Sequence, residues 1–198
     1  SRGLGDVYKR QGIKMAKVYA LIADGSEEVE CLAVVDILRR SGIETVLVSA
    51  GETREIVSSH QIPIRADATV AETDFSDGDV IFLPGGMPGA ENLTACEPLI
   101  EALRQADDDG RRIAAICAAP GVVLGRHGFL EGKTATCFPG FERDFRGAAE
   151  YTMQGVVTDG NITTARGLGF AIDLGLELVR ILAGEAAVED VKKKIQYN

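Results

Sequence analysis

"KVYALIADGSEEVECLAVVDILRRSGIETVLVSA", residues 17–50, changes its hydrophobic period twice. Lys17–Ala23 is an almost continuous apolar run of strand length, as expected of a strand covered on both faces. From Glu28 the apolar residues recur at helical spacing, up to the basic pair Arg39–Arg40 and a stop at Gly42. Glu44–Ala50 is a second valine-rich run. Strand, helix, strand in that order predicts two parallel strands joined by a helix that packs on their sheet.

The alternation continues along the chain. "EIVSSHQIPIRAD" (55–67) reads as a short hairpin with Pro63 on an edge, and "DVIFLPGG" (79–86) as a third buried strand. "ENLTACEPLIEALRQADDDG" (91–110) supplies helix, "RIAAIC" (112–117) a fourth strand, and "APGVVLGRHG" (119–128) a short helix that tolerates Pro120 in its first turn. "KTATC" (133–137) is a further short strand, and "GVVTDGNITTA" (155–165) a hairpin about Asp159-Gly160. A long helix over "GFAIDLGLELVRILAG" (169–184) and a smaller one near "AAVEDVKKKI" (186–195) close the chain. The expected fold class is α/β, a three-layer sandwich with a mostly parallel sheet and helices on both faces. Residues 15–198 are expected to form one domain. The unpatterned "SRGLGDVYKRQGIK" (1–14) reads as a non-native (appended or mistranslated) or disordered leader ahead of Met15.

Composition narrows the function. With 45% hydrophobic residues among 198, the chain can bury a core without disulfides or metals. A net charge of −9 with no basic stripe argues against nucleic acid as a partner, and no apolar run approaches the ~20 residues of a membrane helix. Cys31, Cys96, Cys117 and Cys137 show neither CxxC nor Cys/His ligand spacing, so free thiols in a reducing cytoplasm are expected, with no metal.

In parallel sheets, ligands bind beyond the carboxyl ends of the strands. Asp24–Glu30, Pro84–Gly89 and Cys117–Pro120 should therefore meet. Cys117 has Ala115 and Ala119 two positions to either side, a pattern like the G-x-S-x-G elbow, in which a nucleophile sits on a sharp strand-to-helix turn. At a helix start a thiol pKa can fall from ~8.5 into roughly the 3.5–7.5 range. The competing reading is an inert core cysteine. On a helical wheel, Glu30 lies inside the apolar arc between Val34 and Ile37, where an ionised carboxylate is costly and burial raises its pKa. The alternative is a glutamate that bends out to solvent. Glu27 and Glu28 read as ordinary first-turn acids, Glu28 on the polar arc. In "LPGGMPG", Gly85 and Gly86 can make a tight turn, or can direct amides at an anion, with Gly86 and Ala118 forming an oxyanion hole.

Histidine-assisted catalysis is constrained, because only His60 and His127 exist. His127 fits a helix C-terminus. His60 can reach the site only if its hairpin folds over it or a partner subunit supplies it. Cys137 either packs or adds a second thiol beside the pocket, while Cys31 and Cys96 read as structural. Arg166 fits a role in securing the loop before the last long helix.

Taken together, "ADGSEEVE" (23–30), "LPGGMPGAENL" (83–93), "AAICAAP" (114–120), "ATCFPGFE" (135–142) and "TTARGLGFAIDLGLEL" (163–178) resemble the ThiJ/PfpI superfamily, in its DJ-1-like branch. The resemblance covers nearly all of the chain after Met15. It implies a flavodoxin-like sandwich, usually homodimeric, with Cys117 as the elbow thiol, Glu30 as its hydrogen-bonded acid, and Gly86 and Ala118 as oxyanion amides. It also implies cofactor-free conversion of a small 2-oxoaldehyde such as methylglyoxal or glyoxal, or repair of glycated adducts. Its alternative is redox sensing by a chaperone-like homodimer in which Cys117 becomes a sulfinate. Phe138 stands where some members have histidine, so a histidine-assisted step does not carry over. Leu168 and Phe170 replace a proline and a threonine common in the family. Ala118, rather than the histidine of the protease branch, follows the cysteine, which argues against peptidase activity.

Overall fold

The computed structural model describes residues 15–148 and 150–198. The leader reading, residues 1–14, lies outside them. Seven strands form one sheet: β1 (Lys17–Ile22), β2 (Glu44–Ser49), β5 (Ala68–Thr69), β6 (Val80–Leu83), β7 (Arg112–Ile116), β10 (Val156–Asp159) and β11 (Ile162–Ala165). Their order is β10-β11-β7-β6-β1-β2-β5, and every pairing is parallel except β10 with β11. The hairpin of β3 (Glu55–Val57) and β4 (Pro63–Arg65) stands apart, as do the short strands β8 (Thr134–Ala135) and β9 (Glu150–Tyr151).

Strand periodicity divides the core into two layers. Val18, Ala20 and Ile22 of β1, Val80 and Phe82 of β6, and Ala114 and Ile116 of β7 face one layer. The alternate residues Tyr19, Leu21, Ile81, Leu83, Ile113 and Ala115 face the other. Both faces are apolar, which is why these strands read as continuous runs rather than alternating ones. Helices α1 (Glu28–Arg40), α4 (Ala171–Ala183) and α5 (Glu185–Ile195) cover the first face. Helix α3 (Glu97–Asp108) covers the second. Gly175 lets α4 approach α1 closely, since a Cβ there would lie 2.9 Å from Ile37 Cβ. The fold is the expected α/β sandwich.

Three local readings change. The helical stretch after β6 is two helices, α2 (Gly89–Thr94) and α3, broken at Ala95–Cys96 because Pro98 must start a helix rather than continue one. The expected short helix after Cys117 is present over Pro120–Gly125 but is a wide one, in which Arg126 N–H reaches back to Gly121 O at 3.1 Å. The final long helix begins at Ala171, after a tight turn over Leu168–Phe170. Among the described residues no helix is long and apolar enough to cross a membrane.

The strand order reverses between β1 and β6, so the crevice beyond their carboxyl ends is the natural ligand position. The chain after β1 lies on one side of that crevice and the glycines after β6 lie beside it. The hairpin folds over the start of α1: Val57 N–H donates to Asp24 Oδ1 at 2.8 Å, Gly25 N–H to Val57 O at 2.9 Å, and Ser59 N–H to Ser26 O at 2.8 Å.

Candidate active site

Cys117 follows β7 directly and holds a left-handed backbone, φ +65°. Such a conformation costs a residue with a Cβ ~1–3 kcal/mol and persists only where its surroundings enforce it. Here its N–H donates to Ala165 O at 2.9 Å and its C=O accepts from Phe138 N–H at 2.8 Å. The turn lifts the side chain off the sheet, leaving it half-buried in front of the following turn.

The small residues downstream have a separate cause. A Cβ on Gly121 would fall 2.3 Å from Phe141 O, and one on Gly125 would fall 2.2 Å from Asp144 O. Side chains are missing there because the turn Phe141–Asp144 lies directly against this segment.

Glu30 sits at the first turn of α1 and is 1% exposed. Its N–H donates to Oε2 of Glu27, the residue that caps the helix, at 2.7 Å. Gly85 packs against both acid and thiol: a Cβ on it would lie 2.6 Å from Cys117 Cβ and 2.6 Å from Glu30 Oε1. Only glycine fits there. Gly86, at φ +89°, must also be glycine, since a Cβ would meet Glu27 N at 2.4 Å. The amides of Ala118 and Gly86 face the Cys117 sulfur, and that of Gly85 faces the Glu30 carboxyl.

Acid and thiol govern each other's ionisation. Burial pushes Glu30 up to about 7, against the opposing pull of the Cys117 thiol and the Gly85 amide, and the nearby charge of Glu27 adds to the rise. Burial pushes the Cys117 thiol up to about 12, reinforced by the Glu30 charge and hydrogen bond, while the Ala118 and Gly86 amides pull it down. The expected depression of the thiol pKa is therefore corrected. The two amides do favour the anion, but desolvation and a neighbouring carboxylate outweigh them. The two groups are coupled, so a charge on either one disfavours a charge on the other. Glu30 Oε1 is buried and accepts no hydrogen bond of full geometry among the described residues. The carboxyl lies beside the sulfur, poised to take a proton from the thiol or give one to a group bound there.

The remaining candidates are placed as follows. Phe138 is half-exposed, its ring edge-on to Phe141 and lying over Gly167. Cys137 is fully buried, its thiol pushed up to about 12 by burial and the nearby Glu142 charge, which fits packing rather than reaction. Cys31 is buried and directs its thiol at Leu21 O, 3.6 Å away. Arg166 stacks over Phe170 at 4.7 Å and donates to Met153 O at 2.8 Å, so it secures the loop before α4. His127 pairs with Thr94 Oγ1 at 2.9 Å. His60 does arrive with its hairpin, but its ring contacts Glu28 at 2.9 Å and Ser59, not the sulfur. Glu28 is thus no ordinary polar-arc acid. Like Glu27 it is about nine-tenths buried, because the hairpin covers the head of the helix. No spacing in the sequence announces this contact, which joins residues from two separate elements.

Comparison with known proteins points one way. The model of the DJ-1/PfpI family matches residues 16–181. Protein DJ-1 homolog B of Arabidopsis thaliana is 39% identical over 87% of this chain and 40% of its own length, so the chain spans well under half of that relative. A glutathione-independent glyoxalase of Caenorhabditis elegans, DJR-1.2, is 27% identical over 87% of this chain and 91% of its own. The solved structure of oxidized Toxoplasma gondii DJ-1 superposes with a TM-score of 0.88 at 33% identity, covering 92% of this chain and 98% of that one.

Proposed function

Because this chain belongs to the DJ-1/PfpI family, we propose that it is a cofactor-independent, cysteine-dependent enzyme that converts a small 2-oxoaldehyde to the corresponding hydroxyacid. The observation that carries this reading is the buried Glu30 carboxyl set directly beside an elbow thiol, both packed against Gly85. The relative named as a glyoxalase supports it.

The chemistry follows from the pair. Sulfur attacks the aldehyde carbon as the thiol proton passes to the Glu30 carboxylate, so no free thiolate has to accumulate. The new alkoxide faces the Gly86 and Ala118 amides. Glu30 hands the thiol-derived proton to the oxygen of the adjacent carbonyl, then takes the aldehyde-derived C–H proton and returns it to the adjacent carbon. The first carbon is oxidised to a thioester while the second is reduced to an alcohol, with no external oxidant. Water cleaves the thioester, releasing hydroxyacid and restoring the thiol. An acid with its pKa near 7 suits both directions of proton transfer.

The buried carboxyl beside the thiol also favours a second reading. Two equivalents of peroxide, each transferring one oxygen to Cys117 and leaving as water, would create a sulfinate by way of the sulfenate, able to accept a hydrogen bond from protonated Glu30. One pair of assays separates the readings. Methylglyoxal turnover to lactate that disappears in Cys117→Ser supports the enzyme, and no turnover, or undiminished turnover in the variant, refutes it. A selective mass gain of two oxygens under mild peroxide, without turnover, leaves the sensor.

We also assign the chain a homodimer, seated on the apolar groove that Val29 and Leu32 of α1 form with Ile172 of α4. All four cysteines are free, which suits a reducing compartment.

A further inference from the structure

We propose that Glu27, Glu28 and His60 form a divalent-metal site, suited to Zn²⁺, that clamps the β3–β4 hairpin to the head of α1. The three side chains offer one ligand atom each, all within 4.8 Å of one another. His60 Nδ1 lies 2.9 Å from Glu28 Oε1 and 3.7 Å from Glu27 Oε1. Neighbouring ligands on a tetrahedral ion with bonds of about 2.0–2.1 Å stand roughly 3.3 Å apart, so the set closes on an ion with little movement.

The charge balance calls for a cation. Glu27 and Glu28 are 9% and 8% exposed, and among the described residues no lysine or arginine pairs with either. One imidazole N–H satisfies one carboxylate only. It goes to Glu28 at 2.9 Å, while Glu27 Oε1, on a side chain 12% exposed, stands 3.7 Å from the same nitrogen, too far to accept its N–H. Each carboxylate is already oriented through its other oxygen, as metal ligands are: Glu27 Oε2 accepts the Glu30 N–H at 2.7 Å, and Glu28 Oε2 accepts the Ser59 hydroxyl at 3.3 Å. Two oxygens and an imidazole nitrogen suit Zn²⁺ better than Ca²⁺ or Mg²⁺. His60 is exposed, so an ion has a way in and a water can complete the coordination. The sequence carries no sign of this set because its members come from a helix start and a hairpin tip.

The test is a titration of tag-free full-length protein with Zn²⁺ against a chromophoric chelator, with Co²⁺ as the spectroscopic probe. One ion per chain is expected, with affinity reduced roughly tenfold or more in His60→Ala and in Glu28→Gln, and retained in Cys117→Ser. Bound Co²⁺ should show visible d–d bands without a thiolate charge-transfer band. No binding at micromolar Zn²⁺, unchanged binding in His60→Ala, or a thiolate band would overturn the site. His60 is exposed and caps nothing, so its variant keeps the test valid even if Glu28→Gln folds poorly.

Discussion

Cys117 and Glu30 are two residues whose chemistry depends on the one-atom side chain packed against both. The wheel that placed Glu30 among apolar neighbours needed only a helical period, and Glu30 is indeed buried. Which partner holds the proton was not legible, because it depends on the desolvation of both groups and on four nearby backbone and side-chain contacts. Glu30→Gln removes the carboxylate charge that raises the thiol pKa, while the Gly86 and Ala118 amides stay. The pH midpoint for iodoacetamide alkylation of Cys117 should then fall by about 1–3 units. An unchanged or higher midpoint would place the charge on sulfur. The same ionisation sets the sign for catalysis. The carboxylate form is the base, so methylglyoxal turnover should rise as the pH passes upward through about 7.

At the scale of elements, the strands were the most readable part of the chain, since burial on both faces leaves continuous apolar runs. The hairpins about 58–62 and 160–161 were readable from their turn residues. In sequence, the segment after Cys117 reads as a helix start with room for an elbow, yet two of its glycines answer to a different neighbour. Gly121 meets the backbone of Phe141, a contact made only when distant chain folds back. Gly121→Val should therefore cost ~1–3 kcal/mol in urea denaturation, since the clash is with a backbone oxygen that cannot swing away. Gly169→Ala, where a Cβ meets nothing within 4 Å, is the matched control and should be close to neutral.

For the whole molecule, the feature that bears on assembly is the exposed apolar cluster that α1 forms with α4. Val29 is 47% exposed, Leu32 37% and Ile172 41%, a cluster that an isolated chain has no reason to present to water. Placing a charge in its middle, Leu32→Glu, should convert a homodimer to a monomer in sedimentation velocity with the fold intact by circular dichroism. A wild-type monomer would remove the dimer proposal. The residue sits on the same helix as Glu30, so the variant also reveals whether assembly supports turnover.

The sequence alone decided the layered α/β architecture, the burial of Glu30 and the convergence of three loops at the strand ends. Each of these follows from local periodicity and from the rule that parallel strands carry their sites at the carboxyl end. Tertiary structure decided the rest: the thiol's raised pKa, the close packing at Gly85, the glycine contacts with residues 141–144, and the gathering of Glu27, Glu28 and His60. Those properties arise from desolvation and from contacts between segments far apart in the chain, and neither is written in spacing along it.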